Sequence, residues 1–159
     1  MAVRLEEFSE EHSGRVVELV DGILRNEFGF SRESAEQPDL LDIRRHYGGG
    51  SSNFWIALDG AELIGTTRFV DLGGNQGLLR KMFVRSDHRG TGVARLLLEN
   101  AMQWARDHGF AELYLGTNSK FHAAHRFYEK HGFTSVAPES LPETLPRLNL
   151  RDRFYCRVL

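Results

Sequence analysis

A glycine-containing segment near the middle of the chain has the residue types that bind phosphate. It spans residues 89–94 with the sequence RGTGVA, and a predicted helix follows it. Glycine lets backbone N–H groups approach an anion closely, and the first turn of a helix has N–H groups without partners inside the helix. The segment therefore predicts a site for a phosphate-bearing ligand. Gly90 and Gly92 taken alone would be equally consistent with a loop that only joins two elements.

Features on both sides of this segment favour the binding site. The apolar run MFV at residues 82–84 predicts a strand that leads into it. Arg89 and Arg95 flank the glycines and could add positive charge, although arginines at a loop edge are often only solvated. A second motif, FYEKHGF at residues 127–133, ends a later predicted helix. Together these features favour a ligand site over a bare loop.

The two motifs together resemble the GCN5-related N-acetyltransferase (GNAT) superfamily. Its signature is an Arg or Gln, two residues, a Gly, one residue, and a Gly or Ala, and Arg89, Gly92 and Ala94 fill these places. The family continues with a helix, a strand and a helix that ends much as residues 127–133 do. The resemblance is closest over residues 79–133. It implies an α+β fold of the GNAT type. The centre of this fold is an α/β mixed sheet that is mostly antiparallel and twisted, and helices flank the sheet.

The resemblance implies transfer of an acetyl group from acetyl-CoA to a primary amine. In the family, coenzyme A lies between two neighbouring strands that splay apart and pairs with one of them much as a missing strand would. The glycine turn is expected to hold the diphosphate through backbone N–H groups. The positions implied are Met82, Phe83 and Val84 for the pantetheine arm and Arg89, Gly90, Thr91, Gly92, Val93, Ala94 and Arg95 for the diphosphate.

The resemblance assigns the role of general acid to Tyr128. A phenol with an ordinary pKa near ~10 stays protonated at neutral pH and can donate a proton to the leaving thiolate. The helix pattern alone would instead indicate a tyrosine of the core with its hydroxyl bonded. The motif around Tyr128 favours the catalytic role.

The expected general base is missing. Where some members of the family have a glutamate the chain has Gly116, and residues 78–81 (LLRK) also offer no carboxylate. Three explanations remain open. A water relay removes the proton of the amine, the amine binds already neutral, or a base elsewhere such as Asp71 or His122 accepts the proton. Phe121 stands where many members have an asparagine. The missing base also keeps open a second function, that of a non-catalytic domain that binds acyl-CoA as a sensor.

The charge of the acceptor is open as well. Residues 1–50 contain 11 acidic and 6 basic side chains, and residues 51–159 contain 11 acidic and 14 basic. The acidic first third could attract a cationic amine. Arg80 and Lys81 could repel such an amine or recognise an acidic one, although one of them can simply point to solvent.

Composition limits the class of protein. The 159 residues, 41% hydrophobic and 26% charged, predict one domain over residues 1–159. The net charge of −2 gives no case for nucleic acid, and no apolar run is long enough for a membrane span. A lone Cys156 excludes an internal disulfide and suits a reducing cytoplasm. His122 and His125 share a helix without a third ligand, so we expect no metal. A homodimer, common in the family, stays open.

The elements that must position the site follow from periodicity and turn signals. The first half of the chain predicts a strand, a helix to about Asn26, a weaker helix after Pro38, a flexible stretch at 48–52, and a meander of strands at 53–58, 63–70 and 76–84. The second half predicts a helix at 92–108, a parallel strand at 112–116, a helix at 120–131, a strand at 133–137, an extended excursion at 138–146 and a closing strand at 154–159.

Overall fold

Seven strands form one mixed sheet in the computed structural model, which describes residues 2–31, 52–146 and 151–159. They are β1 (Val3–Glu7), β2 (Asn53–Asp59), β3 (Glu62–Gly73), β4 (Gln76–Val84), β5 (Glu112–Thr117), β6 (Thr134–Val136) and β7 (Arg153–Val158). Their order across the sheet is β1-β2-β3-β4-β5-β7-β6. All neighbours are antiparallel except β4 and β5. The predicted meander and the parallel pairing of residues 112–116 are confirmed.

Helices cover both faces of this sheet. They are α1 (Ser13–Asp21), which continues as a π-helical segment (Gly22–Glu27), α2 (Val93–Asp107) and α3 (His122–Lys130). Part of the predicted excursion forms a short 3₁₀ turn (Pro138–Ser140). The helix predicted after Pro38 and nearly all of the stretch at 48–52 lie outside the described residues. Among the described helices, none has the length and apolar content that crossing a membrane requires.

Alternation along β2 divides the core into two layers. Phe54, Ile56 and Leu58 pack with the apolar side of α1, whereas Trp55 and Ala57 pack with that of α2. This follows from the period of two in a strand, which sends successive side chains to opposite faces. The same alternation on β3 and β4 decides which residues face each layer. A single domain over residues 1–159 stays a prediction.

An irregularity in β4 separates that strand from β5. The two strands pair from Gln76 to Leu79 and no further. Immediately after, the register of β4 against β3 shifts by one residue, and Lys81 adopts a φ of 53°, which is unusual for a residue other than glycine. An extra residue in one strand bends it and increases its local twist. The second half of β4 therefore diverges from β5, and the sheet opens between them.

Candidate active site

The opening between β4 and β5 is a small cavity of about 40 Å³. Its lining is drawn from residues 79–83 of β4, Gly116 and Thr117 of β5, Phe121, Ala124 and Tyr128 at α3, and Arg151. Such a volume has room for roughly two or three water molecules. The cavity can therefore hold the reacting atoms of a substrate, while larger substrate parts must lie outside it.

The backbone of β4 beyond Lys81 faces two different neighbours. The backbone N–H of Arg85 donates to a carbonyl of β3 at 2.8 Å. Two residues earlier in β4, Phe83 pairs with Thr66 of β3 in the same register. Because backbone groups alternate along a strand, those of Phe83 point to β3, and those of Met82 and Val84 point to the side that β5 has left. Two of the three positions predicted to pair with pantetheine therefore present their backbone to the opening.

Tyr128 lies where α3 meets the opening. Its side chain is 6% exposed, and the rings of Phe127, Phe133 and Tyr155 surround it at centroid distances of 5.4, 5.6 and 6.3 Å. Burial raises the pKa of the Tyr128 phenol above its ordinary value, and the positive charge of Arg151 acts against that rise. The phenol therefore stays protonated across the neutral range and can act as a hydrogen-bond or proton donor.

The glycine turn leads directly into α2. Gly90 and Gly92 have φ values of 75° and 92°, in the region that favours glycine. A Cβ on either residue would meet no atom within 4 Å, so glycine is required by the backbone conformation and not by crowding. Within the described residues, no side chain caps the N-terminus of α2 and no acidic residue lies in its first turn. The N–H groups there are therefore placed to bind an anion.

The two arginines beside the glycines have partners within the protein. Arg89 Nη2 donates to Glu27 Oε2 at 2.8 Å, its Nη1 contacts the other carboxylate oxygen, and its Nε donates to the Val84 carbonyl at 2.9 Å. Arg95 Nε donates to Glu99 Oε1 at 2.9 Å. Arg89 therefore connects the glycine turn to the end of the first helical segment and to β4, and these contacts stabilise the loop.

A charged network that the sequence did not predict holds the residues just before the turn. His88 Nε2 lies 3.0 Å from Asp59 Oδ2, and its Nδ1 lies 2.9 Å from Asp87 Oδ1. Arg85 donates to Asp87 at 2.7 Å and to Glu62 at 2.9 Å. The contacts with Asp59 and then Asp87 raise the pKa of His88, whereas those from Arg85 and then His88 lower the pKa of Asp87 to about 2. Since Asp59 and Glu62 come from the β2–β3 hairpin, no local motif indicates the contacts with them.

Neither of the two residues considered as a base lines the opening, and none of the described lining residues carries a carboxylate. Asp71 lies in the β3–β4 hairpin, where it accepts a backbone N–H at 2.8 Å. His122 starts α3 beside His125. His125 Nδ1 lies 3.0 Å from Arg153 Nη1 and its Nε2 lies 2.8 Å from the Asn118 carbonyl, so a neutral imidazole carries its proton on Nε2. No cluster of described residues has the ligands to hold a metal.

Comparison with known proteins gives the relatives of this chain. A family model described as "Acetyltransferase (GNAT) family" matches residues 17–133. A crystal structure of a GNAT-family acetyltransferase from Staphylococcus aureus Mu50 is 30% identical, with a TM-score of 0.93 over 99% of each chain. The α+β fold predicted from the sequence is thereby confirmed. PaiA N-acetyltransferase from Thermoplasma acidophilum, solved with coenzyme A, is 16% identical over the full length of both chains, with a TM-score of 0.79, and shares the fold.

Curated relatives are longer than this chain. Mouse "Probable N-acetyltransferase family 8 member 5" is 35% identical over 102 residues, which cover 61% of this chain and 45% of the relative. The chain spans about half the length of the curated relatives that it matches.

Proposed function

Because the chain belongs to the GNAT family of acetyltransferases, we propose that it transfers an acetyl group from acetyl-CoA to a primary amine. The observation that carries the proposal is the divergence of β4 from β5 next to the buried Tyr128, with the glycine turn at the end of the same strand. Strand, opening and helix N-terminus lie in the order that a long, thiol-ended cofactor requires.

The cofactor binds along β4 in this proposal. The N–H and C=O of Met82 and the N–H of Val84 pair with the pantetheine arm on the side that β5 leaves open, as an added strand would, since the Val84 carbonyl already accepts a hydrogen bond from Arg89. The diphosphate accepts hydrogen bonds from backbone N–H groups of the glycine turn, residues 90–95, where the helix dipole adds a favourable field. Coenzyme A in the PaiA structure supports the choice of cofactor for a protein of this fold.

The amine attacks the thioester carbonyl carbon, and the C–S bond breaks as the tetrahedral intermediate collapses. The sulfur leaves as a thiolate and takes its proton from the Tyr128 hydroxyl, and the nitrogen, which became positively charged on attack, gives up the proton that restores the Tyr128 phenol, directly or through solvent. Burial that raises the pKa of Tyr128 also acts on a thiolate in the same cavity, because both anions lose solvation there. The phenol therefore remains a competent donor to the sulfur despite its weak acidity.

The amine enters the cavity already neutral in this mechanism. The described lining contains the cationic side chains of Arg80, Lys81 and Arg151 and none that is anionic. Positive charges disfavour an ammonium ion and lower the pKa of an amine beside them. The proton is then lost to solvent during binding, which is why a side chain that accepts it is not required.

A non-catalytic acyl-CoA sensor is the second candidate, and the lack of a carboxylate in the described lining favours it. The two functions differ in turnover. Acetyl-CoA binding is measured by calorimetry, and release of the CoA thiol is followed with a panel of primary amines. Thiol release with formation of an N-acetyl product supports the enzyme, whereas binding without release by any amine supports the sensor.

A further inference from the structure

A single histidine connects the segment before the glycine turn to the β2–β3 hairpin. His88 ends a 3₁₀ turn (Ser86–His88) and directly precedes Arg89. Its side chain is 11% exposed and lies between two carboxylates, with Nε2 3.0 Å from Asp59 Oδ2 and Nδ1 2.9 Å from Asp87 Oδ1. Because Asp59 ends β2, the imidazole ring joins the hairpin to the residues that enter the glycine turn.

The two contacts require a charged ring. A neutral imidazole has one N–H, so it can donate to one carboxylate only, and its other nitrogen would face a second acceptor. An imidazolium donates from both nitrogens and places a positive charge between the two negative ones. The contacts with Asp59 and then Asp87 also raise the pKa of His88, against the effect of burial and then of Arg85. Geometry and electrostatics therefore both favour the protonated ring.

The backbone of His88 also contacts the glycine turn itself. The hydroxyl of Thr91 donates to the His88 carbonyl, and Thr91 lies between Gly90 and Gly92. Two glycines give this turn a large choice of backbone conformations. Fixing the residue that enters the turn reduces that choice, so less conformational freedom remains to be lost when a ligand binds.

Other charged groups surround the network, and the ring is the one most sensitive to pH. Described charged side chains on it or on neighbouring elements include Arg4 of β1, Arg15 of α1, Glu27 after α1, Glu62 of the hairpin, and Arg85 and Arg89 beside the turn. The first two donate to backbone carbonyls of the hairpin, and Arg89 is paired with Glu27. Histidine is the residue type of this set whose ordinary pKa lies near neutrality.

We infer that His88 is a positioning residue for the cofactor, whose imidazolium holds the glycine turn in the conformation that binds the diphosphate, so that acetyl-CoA affinity falls when His88 loses its proton. The inference rests on the proposed binding of acetyl-CoA at this turn. Two effects act in the same direction. One contact with a carboxylate is lost, which releases the entry to the turn, and the network next to the diphosphate becomes more negative.

Protonation of His88 and binding of the cofactor are then linked. If the protonated protein binds acetyl-CoA more tightly by some factor, bound acetyl-CoA must raise the pKa of His88 by the logarithm of the same factor. Couplings between two sites are typically about 5- to 150-fold in affinity. We therefore expect the affinity to fall by at least about fivefold when the ring loses its proton.

Calorimetry with acetyl-CoA measures this effect in wild type and His88→Asn between about pH 6 and about pH 9. The ratio of the two Kd values at each pH cancels the titration of the cofactor's own phosphates. We expect the Kd of wild type to rise at least about fivefold relative to that of the variant over this range. His108→Asn, at the other end of α2, is the matched control and should follow wild type.

Two more variants assign the effect to the charge of the ring. A lysine ammonium stays protonated over this range, so His88→Lys should show no such rise in Kd. Asp59→Asn removes the first of the two carboxylates and should move the rise to lower pH. A histidine that only supported the fold would weaken binding equally at every pH.

Nuclear magnetic resonance tests the linkage on the unaltered protein. Wild type with ¹³C-labelled histidine is titrated with and without acetyl-CoA, and the ring signal of His88 is assigned through its backbone. We expect the pKa of His88 to be higher in the bound protein. This measurement decides the question by itself if His88→Asn does not fold.

The outcomes separate the inference from the function on which it rests. A Kd ratio that is constant with pH, or a pKa of His88 that bound acetyl-CoA does not change, overturns the inference and leaves the proposed cofactor in place. Failure of wild type to bind acetyl-CoA at any pH overturns the proposed function and the inference with it.

Discussion

Replacing Tyr128 with phenylalanine removes one hydroxyl from the wall of the opening and keeps the ring that packs in the core. Because the ring is 6% exposed and keeps its three aromatic neighbours, we expect the free energy of unfolding to change by less than about 1 kcal/mol. The catalytic effect should be much larger, since the hydroxyl is the group assigned to protonate the leaving sulfur.

The size of that effect follows from the work of a general acid. Such a group contributes about 10²- to 10⁴-fold to a rate. At about 1.4 kcal/mol for each tenfold change, this is about 3–5 kcal/mol of transition-state stabilisation. Acetyl-CoA affinity should stay within about threefold, because the cofactor is held by the backbone of β4 and by the glycine turn. The variant should therefore lose kcat and keep cofactor binding.

Tyr155→Phe is the matched control. The Tyr155 hydroxyl donates to Glu129 Oε2 at 2.8 Å, its ring lies 6.3 Å from that of Tyr128, and it is outside the cavity lining. Loss of a hydrogen bond to a carboxylate should cost about 1.5–3 kcal/mol of stability without lowering kcat. Steady-state thiol release, calorimetry with acetyl-CoA and urea unfolding measure the three quantities. A kcat for Tyr128→Phe within threefold of wild type would refute the reasoning.

The pH profile tests the same residue independently. Burial raises the pKa of Tyr128 above its ordinary value near ~10, so the acid form persists to higher pH than for an exposed tyrosine. The rate should rise with pH as the amine loses its proton. Up to about pH 10, ionisation of Tyr128 should cause no decrease in the rate. An alkaline decline below that pH that disappears in Tyr128→Phe would show that the phenol is not shielded from solvent.

Three further predictions concern the frame of the site. Gly92→Glu should cost about 1–2 kcal/mol of stability through its φ of 92° and should also abolish acetyl-CoA binding, as measured by calorimetry. The pKa of His88 is raised in the folded state. The stability that this shift contributes is therefore complete below about pH 6.5 and is lost as the pH rises through the raised pKa. Over that pH range, the melting temperature of wild type should fall relative to that of His88→Asn. Gly77→Ala should destabilise by about 1–3 kcal/mol, because a Cβ would lie 2.1 Å from Cζ of Phe69.

Each of these predictions has its own control. Gly109→Glu has the same kind of backbone penalty, with a φ of 81°, at the other end of α2, and should leave cofactor binding unchanged. Equal loss of binding in both glutamate variants would contradict the assignment of the turn. For His88, parallel curves of melting temperature against pH for wild type and His88→Asn would show that ionisation of His88 does not cause the pH dependence of stability. The Phe69→Leu/Gly77→Ala double variant should be less unstable than the sum of its single variants, and full additivity would argue against the contact.

Local patterns in the sequence were sufficient for the elements and the main motifs. The β-rich run at residues 53–58 predicted a strand, and the alternating side chains of that strand separate the core layers in the structure. Gly90 and Gly92 predicted a turn before a helix, and both have positive φ. The family membership read from residues 89–94 and 127–133 is confirmed. These features depend on neighbours within a few residues, where side-chain period and backbone freedom act directly.

The partners of the charged residues depended on the tertiary structure. The sequence left open whether the Arg89 side chain adds charge beside a phosphate or is only solvated, and in the structure Glu27, 62 residues away, accepts its hydrogen bonds. Arg151 reaches the opening beside Tyr128 from a different part of the chain. Lys81 takes a φ of 53° only because β4 must accommodate an extra residue against β3. Strand register and the packing of distant segments decide such contacts, and no period or motif within a short window encodes them.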